Sequence, residues 1–155
     1  MLLNPLPKTN VILSRAIDSE SIWQYTFQNP GTDWSNSNFN SSSWKTGKAG
    51  FGKGAVGVFN NTDWSSDKIW MRREFQVNNI SIKKLYLSMK ADDHASVFIN
   101  GTQVASTTTK VATYQLIPIK NVLKEGKNVI AVHAINKRHS QFIDVGLVDA
   151  PDSEK

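Results

Sequence analysis

The chain has 155 residues, of which 39% are hydrophobic and 20% charged, with a formal net charge of +5 and no cysteine. That length suits one domain with its own core, that composition is too apolar for a disordered chain, and the missing cysteines exclude disulfides, thiolate metal sites and a cysteine nucleophile. No run approaches the ~20 consecutive apolar residues of a membrane helix, and the basic residues are dispersed, as in Lys45, Lys48, Arg72, Arg73 and Lys137, which argues against a nucleic-acid reader.

The opening MLLNPLPKTN does not read as a signal peptide. Asn4, Pro5 and Pro7 break its apolar run and no basic region precedes it. Residues 1–19 read as an N-terminal extension or edge strand, with 11–17 (VILSRAI) the strand candidate. Residues 28–66 are rich in Gly, Ser, Asn and Trp and lack period. They predict long loops pinned by aromatic side chains, and loops this long in a compact domain commonly carry function.

From Ile69 onward the pattern is that of strands. Ile69, Met71, Arg73, Phe75 and Val77, a mostly apolar face, alternate with Trp70, Arg72, Glu74 and Gln76, and Leu85, Leu87, Met89 and Ala91 repeat the period of two. Ser96–Ile99 and Thr102–Ala105 flank Asn100-Gly101, the dipeptide of a type I′ hairpin turn. A further strand is predicted from Tyr114 to Ile119. Asn128–Ile135 is a nearly unbroken apolar run that suits a strand buried on both faces, and Gln141–Val148 is the last strand. Residues 149–155 read as a frayed tail. Short strands without an amphipathic helix predict an all-β antiparallel sandwich.

Several segments resemble a known family. They are Trp44–Gly52 (WKTGKAGFG), Asp67–Phe75 (DKIWMRREF), Ala91–Gly101 (ADDHASVFING), Gly126–Ala134 (GKNVIAVHA) and Phe142–Leu147 (FIDVGL). Together they resemble the galactose-binding-like, jelly-roll β-sandwich modules of bacterial glycoside hydrolases, including the sugar-binding domain of β-galactosidase-type enzymes, over about residues 20–148. The resemblance implies a non-catalytic, extracytoplasmic accessory module whose partners are a glycan and a linked or associated catalytic domain. Two turns depart from the family pattern. His94 stands where a glycine is usual after the paired aspartates, and Lys137–Gln141 replaces a glycine-bearing loop.

Asp92 and Asp93 are adjacent, so in extended chain they point oppositely and cannot act as an acid/base pair. They suit either turn hydrogen bonding or partial ligation of a structural calcium ion, the one cofactor the sequence offers. His94, His133 and His139 lack zinc-ligand spacing; His133 reads as a packed, hydrogen-bonded core histidine. Gly52–Gly57 matches G-x-G-x-x-G but lies between loops rather than between a strand and a helix, so it reads as a surface loop. No G-x-S-x-G elbow or convergent carboxylate pair indicates an enzyme.

The tryptophans are the strongest functional lead. Trp23, Trp34, Trp44, Trp64 and Trp70 fall within 50 residues. Indole rings dock the apolar C–H faces of sugars, while hydroxyls need polar partners. The predicted carbohydrate site is therefore Trp34 and Trp64 with Lys53, Asn61 and Asp63, joined by Arg138 and His139 from a second loop. Trp44 and Trp70 read as anchors or core. A module that only packs against a catalytic neighbour is the alternative, and it would show an exposed apolar patch and no concave aromatic site.

Overall fold

The described residues form twelve strands in two sheets, the longer ones built on alternation of apolar and polar residues. The computed structural model describes residues 10–53, 60–78, 82, 84–137 and 140–150. The strands are β1 (Asn10–Leu13), β2 (Ile22–Thr26), β3 (Lys45–Lys48), β4 (Phe51–Lys53), β5 (Thr62–Asp63), β6 (Lys68–Val77), β7 (Leu85–Asp92), β8 (His94–Ile99), β9 (Thr102–Thr107), β10 (Val111–Pro118), β11 (Gly126–Ile135) and β12 (Gln141–Asp149). One sheet runs β10-β7-β12-β4-β5, with β1 also on β12; the other runs β3-β2-β6-β11-β8-β9. Among the described residues every pairing is antiparallel except β4 with β5, which is parallel, a local exception to the all-antiparallel expectation.

The inward face of each sheet supplies the core. Ile69, Met71, Phe75 and Val77 of β6 and Ile130, Val132 and Ala134 of β11 meet Leu87 and Met89 of β7 and Ile143, Val145 and Leu147 of β12. Fully burying side chains of this size contributes roughly 1.5–3 kcal/mol each. The turn at Asn100-Gly101 has φ of 50° and 85°, as type I′ geometry requires. The Asn100 side chain donates to Asn128 Oδ1 (2.8 Å) and accepts from the Val129 N–H (3.0 Å), tying the hairpin tip to β11.

Two segments from the first half cover the outer faces. Residues 14–21 lie over β12. Gly146 allows this, because a Cβ there would fall 2.6 Å from the Leu13 carbonyl oxygen and 2.5 Å from Arg15 Cγ. Every residue of β12 is consequently buried. Residues 33–44 lie over the second sheet and cover Ala131 of β11 and Trp70 of β6. The outer face of β11 is therefore buried as well, as its apolar run predicts. The predicted strand at 11–17 is shorter, Asn10–Leu13, and sits at an edge.

Candidate functional site

The structure separates the two tryptophans that the sequence placed in one site. Trp34 sits on the outer face of the second sheet, edge-on to Phe98 (ring centroids 5.4 Å) and beside His133 (6.2 Å), and is 9% exposed. Trp64 belongs to the inter-sheet core and is 0% exposed. Neither presents a ring face to a ligand, which corrects the expected site. The physical reason is hydrophobic: each loop lowers its free energy most by burying its largest apolar ring. Trp70 and His133 behave as expected. Their rings stack at 4.4 Å and His133 Nδ1 donates to the Ile69 carbonyl at 3.0 Å.

The polar residues of the expected site are dispersed too. Asn61 Nδ2 donates to the Ala49 carbonyl (2.7 Å) and holds its own loop. Lys53 stands opposite Gln141 on β12, and Asp63, exposed, accepts from the Ser65 hydroxyl. Arg138, His139 and most of the G-x-G-x-x-G segment lie outside the described residues.

The same end of the sandwich nevertheless carries two clefts. Strand register defines that end. Thr26 pairs with Trp70, Lys68 with Ile135, and Ile135 with His94, while Lys53 pairs with Gln141 and Asp92 with Phe142. Gln141 Nε2 donates to the Ser66 carbonyl (2.8 Å), so the ends of the two sheets adjoin.

The first cleft, of about 280 Å³, is lined by Tyr25, Phe27, Gln28, Ser43, Trp44 and Lys45, with Thr26. Alternation along β2 puts Tyr25 on the core side, where its ring meets Phe51 edge-on at 5.1 Å and Phe27 at 5.4 Å. The β2–β3 pairing sets Lys45 opposite Tyr25, and the Lys45 ammonium lies 5.9 Å from the centre of the Phe27 ring. Trp44 packs on Phe39 at 5.8 Å. It is half-buried, whereas the other four tryptophans are buried. An aromatic floor with an amide, a hydroxyl and an ammonium on its rim has the two-sided chemistry of a sugar. Sequence reasoning passed over this group because residues 25–28 and 43–45 meet only through strand pairing, which no local pattern announces.

The second cleft, also of about 280 Å³, is lined by Asp93, His94, Thr108, Thr109, Lys110 and Lys137. Asp93 Oδ2 accepts from the Lys137 backbone N–H (2.6 Å), and Asp92 Oδ2 accepts from the Ser140 hydroxyl (2.7 Å) and faces Lys110 at 3.5 Å. Burial, then the neighbouring Asp93, raises the Asp92 carboxyl above its ordinary value, against the lowering effect of the Ser140 hydrogen bond. Calcium takes six to eight oxygens. Among the described residues no third acidic or histidine side chain joins these two in a metal cluster, and two lysines face the same space. This donor set fits the turn chemistry better than it fits calcium.

A buried acid lies elsewhere, beneath the 14–21 segment. Asp144 is 0% exposed. Its Oδ2 accepts from the Ala16 N–H (2.8 Å) and the Tyr114 hydroxyl, while Oδ1 is buried with no hydrogen-bond partner. Burial pushes this carboxyl up to about 6, against the lowering effect of those hydrogen bonds. Its unfolded value is near 3.9, so the folded chain holds the extra proton between about pH 4 and pH 6. Stability from this group is therefore fully present below that window and is lost as pH rises through it. His133, held below its ordinary value by burial, acts in the opposite sense. Comparing wild type with Asp144→Asn cancels it. The expected result is that Asp144→Asn is the more stable of the two at pH 7.5 by about 2 kcal/mol, with most of the gap gone by pH 4. Urea unfolding at both pH values checks this.

No protein-family model matches the chain and no curated protein is found similar to it. Solved structures are. A beta-glucuronidase of Bacteroides uniformis matches with TM-score 0.62 at 20% identity, over 93% of this chain and 18% of that one. A glycosyl hydrolase family 2 member of Bacteroides cellulosilyticus matches with TM-score 0.63 at 13% identity, over 90% and 20%. A beta-glucuronidase of Ruminococcus gnavus matches with TM-score 0.62 at 14% identity, over 97% and 29%. At these identities the likeness is one of fold, a β-sandwich. The chain spans less than a third of the length of each of these proteins.

Proposed function

We propose that this chain is a non-catalytic, carbohydrate-binding module of the galactose-binding-like, jelly-roll kind, serving an extracytoplasmic glycoside hydrolase to which it is linked or bound. The observation that carries this reading is the cleft of Tyr25, Phe27 and Trp44 rimmed by Gln28, Ser43 and Lys45. Support also comes from its fold, which recurs in glycoside hydrolases as a minor part of each chain. Holding the glycan raises substrate concentration near the catalytic partner. The competing reading, a sandwich that only packs on a catalytic neighbour, calls for an exposed apolar patch and no aromatic concavity. The exposed large hydrophobic side chains among the described residues are Val11, Ile17, Ile22 and Leu116, and none lines this cleft.

Affinity electrophoresis through gels holding plant and host polysaccharides tests the proposal. The chain is expected to be retarded by at least one, and Trp44→Ala to weaken that retardation tenfold or more, as loss of an aromatic anchor does. Because Trp44 is only partly buried, the melting temperature of Trp44→Ala is expected to fall by only a few degrees. Retardation by no polysaccharide, or undiminished retardation of folded Trp44→Ala, would count against a glycan site here.

A further inference from the structure

We propose that the second cleft at this end receives an anionic substituent of the glycan, a carboxylate or a sulfate ester on a sugar. The inference rests on the glycan-binding reading and assigns the substrate class. Its basis is which groups in the cleft are already engaged. The Asp93 carboxylate takes the Lys137 N–H, and Asp92 takes the Ser140 hydroxyl and faces Lys110. Beside Asp93, the cleft is lined by two ammonium groups, two hydroxyls and an imidazole. The Lys137 ammonium has no carboxylate partner among the described residues, and the exposed hydroxyls of Thr108 and Thr109 and the ring of His94 line the same wall.

An uncharged sugar would leave the Lys137 ammonium unmatched, whereas a carboxylate or sulfate oxygen accepts from ammonium and hydroxyl together in short, charge-assisted hydrogen bonds. The net charge of +5 favours approach of a polyanion over the whole surface, but a spread-out field carries no preference for one pocket. The preference comes from the two lysines that the β9–β10 loop (Lys110) and the residues after β11 (Lys137) bring to one cleft. Because both are solvent-facing, the preference is expected to weaken as salt screens it.

The test is an NMR titration of the isotope-labelled chain at low salt with three pairs of probes: glucuronate and glucose, galactose 6-sulfate and galactose, and inorganic sulfate against chloride. The backbone signals of His94 and Lys110 report this cleft, and the Trp44 indole signal reports the first. The proposal expects at least one acidic sugar to move the His94 and Lys110 signals with about tenfold greater affinity than its uncharged partner, and the Lys110→Gln, Lys137→Gln double variant to erase that difference. The two acids tell carboxylate from sulfate. Equal response to inorganic sulfate, or no response to either acid, overturns it. Movement of the Trp44 signal by neutral glycan with silence at His94 overturns this inference alone. A Trp44 signal unmoved by any glycan overturns the reading beneath it.

Discussion

Replacing Arg72 by leucine is expected to lift the 33–44 segment from the sandwich and to destabilise the chain by about 2–4 kcal/mol, from the cost of leaving buried polar groups unpaired. Arg72 is 3% exposed, on the outward face of β6. Its Nη1 donates to the carbonyls of Trp34 (2.6 Å) and Asn36 (2.8 Å), its Nη2 to that of Phe39 (3.1 Å) and its Nε to the Ser41 hydroxyl (3.3 Å). The guanidinium also lies 5.3 Å from the centre of the Phe39 ring. One side chain thus serves four acceptors of a loop that lacks a sheet ladder. Lysine offers a point charge and cannot copy the fork, so Arg72→Lys is expected to recover less than half the loss. Urea unfolding measures the loss, and a red shift of tryptophan emission as Trp34 meets water identifies its cause. Unchanged unfolding and emission in Arg72→Leu would mean that apolar contacts alone hold the loop.

The second large effect is at Trp64. Its ring is fully enclosed in the inter-sheet core and its Nε1 is buried with no hydrogen-bond partner. Trp64→Ala is expected to cost about 3–5 kcal/mol, the lost transfer energy plus the cavity left behind. Trp64→Phe removes the unpartnered N–H along with part of the volume, and dropping an unpaired buried donor offsets some of the loss. It is expected to cost less than half as much. Both variants, where folded, are expected to bind glycan as wild type does. A Trp64→Ala protein of normal stability that no longer binds glycan would put this ring back at the ligand, where the sequence first placed it.

The second half of the fold was legible because its strands bury one face and so alternate, or bury both and so run apolar. The hairpin at Asn100-Gly101, the alternating β6 and β7, and the apolar runs of β11 and β12 all follow from residues next to one another in sequence. β3, β4 and β5 were not legible. Lys45–Lys48 is a peripheral strand without an apolar face, and Thr62–Asp63 is two residues held by parallel pairing with β4. Nor could composition tell an anchoring tryptophan from a binding one. Trp34 and Trp44 belong to the same loop region, yet the first is closed in by Phe98 and His133 while the second stays half-open beside residues 25–28. That difference is made by strand pairing and by where Arg72 pins the loop. The paired aspartates carried both readings in sequence, and only their partners, Ser140 and the Lys137 N–H, favour turn bonding.

The central claim is that a glycan covers the half-open indole of Trp44. Hydroxyl-radical footprinting read by mass spectrometry, with and without a saturating oligosaccharide from the polysaccharide that retards the chain, measures this directly. Trp44 should oxidise fastest of the five tryptophans in the free protein and become protected on binding, with Trp64 unreactive throughout. If Trp44 oxidises as slowly as Trp64, or stays equally reactive at saturation, the glycan does not sit there.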